Sequence, residues 1–273
     1  MLRNEWSEEL LDTESDFPFT WLEFYPENFM RRGAKLQHTL NRLGQHWPLT
    51  AHSVHLSLGG LEPIDTEYLR EVRDFLDSFE VPWGGDHIGI TMTENEILHE
   101  IVPLQMTPDS AKRFAERVEK IQEGYGRTLL IENTCGYMQV PGSTLSEADF
   151  IATVLEQSSV GLLLDVNNLF VNAINQGYDA QAFLRSMPLE RVGEIHVGGF
   201  TVDKSSGLLI DSHSACPCPA VWRLLLAALK RGGPKPIVLE WEHNYGSFAA
   251  IKEQFALLHA LWQEAAQDSG SAS

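Results

Sequence analysis

One pattern constrains the fold of this chain more than any other. A short apolar run is followed by a longer amphipathic segment, and the alternation repeats along most of the 273 residues. The apolar runs fall at residues 21–24, 49–58, 87–91, 128–131, 161–166, 194–197, 208–210 and 236–241. Continuous runs of this kind read as strands buried on both faces, as in a parallel sheet. The segments between them carry helical signals. Pro108 opens one that continues through Phe114, Val118 and Ile121 on one face; Ser146 starts another. Residues 220–230 form a third, closed by Gly232-Gly233-Pro234, and residues 248–264 form the last. Strand and helix alternating about eight times in 273 residues, close to the roughly 250 of one barrel, predict an α/β fold, a closed (β/α)8 TIM barrel. The expected organisation is one barrel over residues 1–267 and a disordered tail over 268–273. A doubly wound open sheet is the alternative, weakened because no glycine-rich phosphate loop follows the first strand.

The ends of the runs carry the chemistry. His52 and His55 lie within or at the end of the second, and His87 follows Asp86 in the third. Glu132, Asp165, His196, Asp211 and Glu240 close later runs, and His213 stands two residues past Asp211. A carboxylate directly after aliphatic residues is costly to bury alone. Any one of them can be explained as a cap for the next helix, and any one histidine as a satisfied structural residue. Together, at the ends of different strands, they would converge on one mouth of a barrel. Like charges at close range repel unless protonated or bridged by cations, and bound metal is the simplest resolution. Asp211-x-His213 has the period of a strand, so both side chains would face one way. Mixed histidine and carboxylate donors suit iron, manganese or zinc, and the residues alone do not choose among them.

Charge excludes one class of partner. With 20 lysines and arginines against 38 aspartates and glutamates, the formal charge is −18. That balance argues against nucleic acid. No apolar run approaches the roughly 18 residues that span a bilayer, and no signal-peptide pattern opens the chain. Cys135, Cys216 and Cys218 form no disulfide framework, so the expected compartment is the cytoplasm.

Several strings resemble one family. They are Leu22-Glu23-Phe24-Tyr25-Pro26-Glu27-Asn28, the segment from His52 to Gly60, Asp86-His87, Glu132-Asn133, Leu164-Asp165-Val166-Asn167-Asn168 with the trailing Asn175 to Asp179, the segment from Ile195 to Gly199, Asp211-Ser212-His213, and Glu240-Trp241. In this order they resemble the multinuclear non-haem iron-dependent oxidative enzymes, the group of methanobactin biosynthesis protein B. The resemblance implies a barrel akin to xylose isomerase and endonuclease IV. It implies two or three iron ions of mixed Fe2+/Fe3+ state, with O2 as co-substrate. The implied reaction is oxidative modification of a cysteine, or similar residue, in a ribosomally made precursor peptide, with a small partner protein that presents the leader. Carried over residue by residue, one ion would take His52, His87 and Glu132; a second would share Glu132 and add Asp165, His196 and Glu240. A third would take Asn168, Asp211 and His213. Asn168 is preferred to Asn167 because the corresponding position in endonuclease-like barrels lies three residues past the aspartate. Gly84-Gly85, Gly89-Ile90 and Gly198-Gly199-Phe200 depart from the family pattern beside the ligands, which puts substrate identity in doubt more than metal binding.

Two rivals use the same residues. A redox-neutral hydrolase or sugar isomerase would hold zinc, manganese or magnesium on the same barrel. A non-enzymatic scaffold would only hold metal or a partner. Cys216 and Cys218 could touch a substrate thiol, form a reversible disulfide or be loop residues without a role, Cys135 is expected to pack, and His55, His99 and His243 are expected to stay off the metals.

Overall fold

The computed structural model describes residues 1–2, 6–12, 19–93, 96–244 and 247–270. Strands β1 (Leu22–Phe24), β2 (Leu49–His52) and β3 (Trp83–His87) start a parallel sheet. A hairpin of β4 (Ile90–Met92) and β5 (Ile97–Val102) interrupts it, and β6 (Thr128–Glu132), β7 (Gly161–Asp165) and β8 (Val192–Gly198) resume it. A second hairpin, β9 (Phe200–Val202) and β10 (Leu209–Asp211), precedes the last barrel strand, β11 (Ile237–Glu240). The helices are α1 (Ser7–Asp12), α2 (Ala34–Gly44), α3 (Thr66–Asp77), α4 (Pro108–Tyr125), α5 (Glu147–Glu156), α6 (Val166–Gln176), α7 (Ala180–Ser186), α8 (Pro219–Gly232) and α9 (Phe248–Gly270).

The order β1-β2-β3-β6-β7-β8-β11 makes a nearly closed seven-stranded parallel sheet among the described residues, with helices outside: the (β/α)8-type barrel expected. At the seam between β1 and β11, the Leu2 amide donates to Glu23 O at 2.7 Å and the Met1 amino group to Leu239 O at 3.1 Å. Aliphatic residues such as Leu129, Ile131, Leu162 and Leu164 are fully buried. Amphipathic helices seal the outside; α4 inserts Phe114, Val118, Ile121 and Tyr125, and Thr107 and Ser110 close its N-terminus as a reciprocal cap. No helix among the described residues is long and apolar enough to cross a membrane.

Four expectations need correction. Residues 208–210 do not contribute a barrel strand. β8 and β11 pair directly, Ile195 with Ile237 through Gly198 with Glu240, and leave no slot between them. β10 instead pairs antiparallel with β9 above the barrel, half-buried rather than buried. The third strand lies mostly upstream of the run at 87–91, because Gly84 and Gly85 are strand residues. A Cβ on Gly84 would come within 2.1 Å of Tyr125 Oη, so the helix packs against bare backbone there. The second strand ends at His52 rather than extending to residue 58. At the other end of the chain, α9 continues through 268–270, assigned above to the tail; residues 271–273 lie outside the described residues, as does Tyr245 at the close of the motif region.

Candidate metal centre

The strand ends place their polar residues on one mouth. His52 closes β2, His87 closes β3, Glu132 closes β6, Asp165 closes β7 and Glu240 closes β11; His196 sits in β8, paired with Val238 of β11. His52, Glu132, Asp165, His196 and Glu240 are all buried to 3% exposure or less.

Two donor groups share one residue. In the first, His52, His87 and Glu132 bring ligand atoms within 4.8 Å of one another. Glu132 Oε2 lies 3.1 Å from His52 Nε2 and 3.5 Å from His87 Nε2, and the two imidazole Nε2 atoms are 3.3 Å apart. In the second, Glu132, Asp165, His196 and Glu240 meet the same limit of 4.8 Å. His196 Nδ1 stands 3.2 Å from Glu240 Oε2 and 3.9 Å from Glu132 Oε1. Thus the two oxygens of Glu132 face two different donor groups.

The third group differs from the expected one. Within 4.8 Å the structure gathers His213, Glu240 and Glu242. Asp211 is adjacent, its Oδ1 2.9 Å from His213 Nε2. Asn168 Oδ1 accepts from the Cys135 thiol at 2.9 Å and its Nδ2 donates to Asn133 O. Asn167 is the asparagine that reaches the cluster, donating from Nδ2 to Asp211 Oδ1 at 2.7 Å. Glu242 is not singled out in the sequence, and Glu23 stands there only within the first family-like string, with no ligand role. Glu23 is the polar residue in β1, and its ligand atom lies with those of His52 and His196 within 4.8 Å. Glu242 stands two residues past the end of β11.

Local sequence explains how the third cluster is held. The His213 amide donates to Gly199 O at 3.1 Å, and His213 O accepts from the Glu242 amide at 2.7 Å. This loop stitches the end of β8 to the segment after β11. A Cβ on Gly199 would lie 2.0 Å from Ala215 O, so only glycine admits the loop. His213 itself has φ of 47°, a left-handed conformation that a non-glycine residue adopts at a cost.

The electrostatics ask for cations. Burial, then the carboxylates of Glu132, Asp211 and Glu240, push Asp165 well above the usual carboxylate range. Burial opposes charge on His52, but Glu132 outweighs it and the imidazole is pushed up to about 9. Burial also opposes charge on Glu132, while His87 and His52 hold it below its ordinary value. Among the described residues Glu132 Oε2, Asp165 Oδ2, Asn167 Oδ1, His196 Nδ1, His213 Nε2 and Glu240 Oε2 are buried without an aligned hydrogen bond, several of them in ion-pair contact within the cluster. So many buried polar atoms without aligned partners are rare in a folded core and expensive to keep there. Bound metal would satisfy them, and nitrogen with hard oxygen donors fits iron, manganese or zinc. Asp165 serves twice: Oδ1 caps α6 by accepting from the Asn168 amide at 2.8 Å, while Oδ2 stays available.

The remaining candidates lie outside these groups. His99 and His243 are exposed and His55 is half-buried. All three cysteines are free, Cys216 exposed and Cys135 and Cys218 half-buried.

Comparison with known proteins fits this geometry. A family model described as "RiPP precursor modification enzyme MbnB/TglH/ChrH" matches residues 1–263. A UPF0276 protein of Acinetobacter baylyi is 34% identical over 273 residues, covering 100% of this chain and 93% of that one. A UPF0276 protein of Shewanella loihica is 33% identical, covering 91% and 88%. Among solved structures, a xylose isomerase-like TIM barrel protein from Mycobacterium smegmatis in complex with magnesium aligns with a TM-score of 0.60 at 16% identity, covering 96% of this chain and 89% of that one. The IolI protein with a bound zinc atom aligns with a TM-score of 0.57 at 16% identity, covering 97% and 93%. At such identities these structures speak to the fold.

Proposed function

The chain belongs to the MbnB/TglH/ChrH family of RiPP precursor modification enzymes, and from that premise we propose that it is an oxidoreductase using two or three iron ions and O2 to modify a cysteine, or similar residue, in a ribosomally made precursor peptide. The observation that carries this reading is buried Glu132, whose two oxygens face separate donor groups. His52, His87 and Glu132 would hold one ion; Glu132, Asp165, His196 and Glu240 a second. His213 with Glu240 and Glu242, beside Asp211 and Asn167, would hold a third. When bound, iron supplies a Lewis acid for a thiolate and a source of electrons for O2.

The protein's share is position and exclusion of water. Three strands fix the first group rigidly, so its spacing is set by backbone register rather than by flexible loops. The rim offers Tyr137 and Met138, exposed at 43% and 70%, as an apolar surface for a peptide. Tyr137 Oη accepts from the Asp211 amide, which ties that surface to the third cluster. A small leader-binding protein is the partner that would bring the peptide to this rim.

The test is incubation or co-expression with a cysteine-containing precursor peptide, taken from any short reading frame found beside the gene together with any small partner gene, and intact-mass analysis of the peptide. A mass change in air that is absent under anaerobic conditions is the expected result. An unchanged peptide in air, or the same change without O2, would contradict the proposal. The second reading, a redox-neutral hydrolase or isomerase, draws on the magnesium and zinc named for the two solved barrels. It requires full activity with zinc or magnesium and no iron. A non-enzymatic scaffold requires Glu240→Gln and His196→Ala to keep full biological function.

A further inference from the structure

Strand alternation sends Leu22 and Phe24 of β1 outward and Glu23 toward the barrel axis. Phe24 packs in an aromatic cluster with Phe29, Phe75 and Phe79, which fixes the facing of the strand. Glu23 is left 2% exposed on the floor beneath the donor groups. Its two oxygens face two different histidines: Oε1 lies 2.9 Å from His196 Nε2 without an aligned hydrogen bond, and Oε2 lies 3.9 Å from His52 Nδ1, an ion-pair rather than a hydrogen-bond distance. These are the ring nitrogens turned away from the mouth. His52 turns Nε2 to Glu132 and His87, and His196 turns Nδ1 to Glu240.

A neutral imidazole offers one lone pair to a metal, and the other nitrogen then carries a proton that needs an acceptor. We propose that Glu23 is a positioning residue that, once metal is bound at the mouth, serves as this acceptor for both His52 and His196 and fixes the ring orientation and tautomer of both. The inference rests on the reading that the mouth holds metal. Glu132 would tie the first and second ions from the mouth side, and Glu23 ties their histidines from beneath. The two histidines are not equally dependent on it. His196 Nε2 has a second carboxylate, Glu194 Oε1, at 3.1 Å, and Glu194 is itself held by Trp83 Nε1. His52 Nδ1 makes no hydrogen bond among the described residues, and Glu23 is the one carboxylate within ion-pair distance of it. Loss of Glu23 therefore weakens the His52 ion more than the His196 ion, and loss of Glu194 touches only the latter.

The experiment uses the full chain, prepared metal-free and titrated anaerobically with Co2+. Absorption spectra give affinity, and paramagnetically shifted exchangeable imidazole N–H signals report each histidine. Glu23→Ala is expected to weaken binding by about 10–100-fold, with the N–H signal of His52 lost and that of His196 retained but shifted. Glu23→Gln keeps the shape and guards against misfolding. Its amide can accept from one histidine only, so one of the two N–H signals disappears. Glu194→Gln should perturb the His196 signal alone. Wild-type affinities and unshifted signals in both Glu23 variants would overturn the assignment. So would the loss of one whole equivalent of Co2+ with the others unchanged, which would make Glu23 a ligand. Wild-type protein that binds no Co2+ would overturn the metal reading and this inference with it, an outcome distinct from the two before.

Discussion

Asn167 donates from Nδ2 to Asp211 Oδ1 at 2.7 Å, although its neighbour Asn168 stands where the family resemblance places a ligand. Its own Oδ1 is buried without a hydrogen bond and is the free donor beside the third cluster. Asn167→Ala should therefore lower retention of the third ion by about 10–100-fold while leaving the other two. Asn168→Ala should lower stability by about 1 kcal/mol through its lost bond to Asn133 and leave the ion count intact. Metal content after gel filtration and the unfolding midpoint separate the two. A third ion lost in Asn168→Ala and kept in Asn167→Ala would reverse the assignment.

Asp165→Asn should split function from stability. The asparagine still caps α6, since Asn and Asp are comparable at that position. It also removes the cost of holding a carboxyl group, buried beside Glu132, Asp211 and Glu240, that the unfolded chain would keep ionised. The metal-free variant should melt higher than the metal-free wild type by a few degrees. Metal should then raise the wild-type melting temperature and the variant's much less, because binding stabilises by about 2.7 kcal/mol at a hundredfold excess over Kd. Scanning fluorimetry with and without Fe2+ under argon checks both signs.

Glu147, at the start of α5, gives a pH dependence away from the metals. Burial pushes its carboxyl up to about 7, opposed by one hydrogen bond from Asn172. Its folded-state pKa lies above the unfolded value of about 4.3. Its contribution to stability is thus fully present below about pH 4.3 and is lost as pH rises through about 7. Glu147→Gln should gain on the wild type between about pH 5 and about pH 8, by roughly 2 kcal/mol. Urea unfolding at the two pH values measures it, and an equal difference at both would contradict the assignment.

The cysteines should react in order of access. Cys216 is exposed, whereas the Cys135 thiol is held at Asn168 Oδ1. Burial, then the charges of Asp211 and Asp165, push the Cys135 thiol far above its ordinary range. Iodoacetamide followed by peptide mass mapping should find Cys216 labelled and Cys135 unlabelled in the native protein. Faster labelling of Cys135 would show a thiolate where the structure has a thiol.

Much of the mouth was legible because burial forces a local signature. A carboxylate after three aliphatic residues, as at Glu132, Asp165 and Glu240, has few structural uses other than a cap or a ligand. Glu23 lacked that signature: one acid between Leu22 and Phe24 has the alternation of any half-buried strand, and only the closed barrel shows that its side faces the axis. Glu242 lies past its strand, where no period constrains direction. The choice between Asn167 and Asn168 turns on about 100° of helix rotation in the first turn of α6. The run at 208–210 has the composition of a strand and is one, but whether it enters the barrel depends on β8 and β11 pairing directly, a long-range fact.

The most direct measurement is anomalous scattering from anaerobically grown, iron-loaded crystals, with data above and below the iron edge. The expected result is iron density on both sides of Glu132, one peak bounded by His52 and His87 and the other by Asp165, His196 and Glu240. A single peak, no peak, or density that does not change across the iron edge would contradict a multinuclear iron centre built around Glu132.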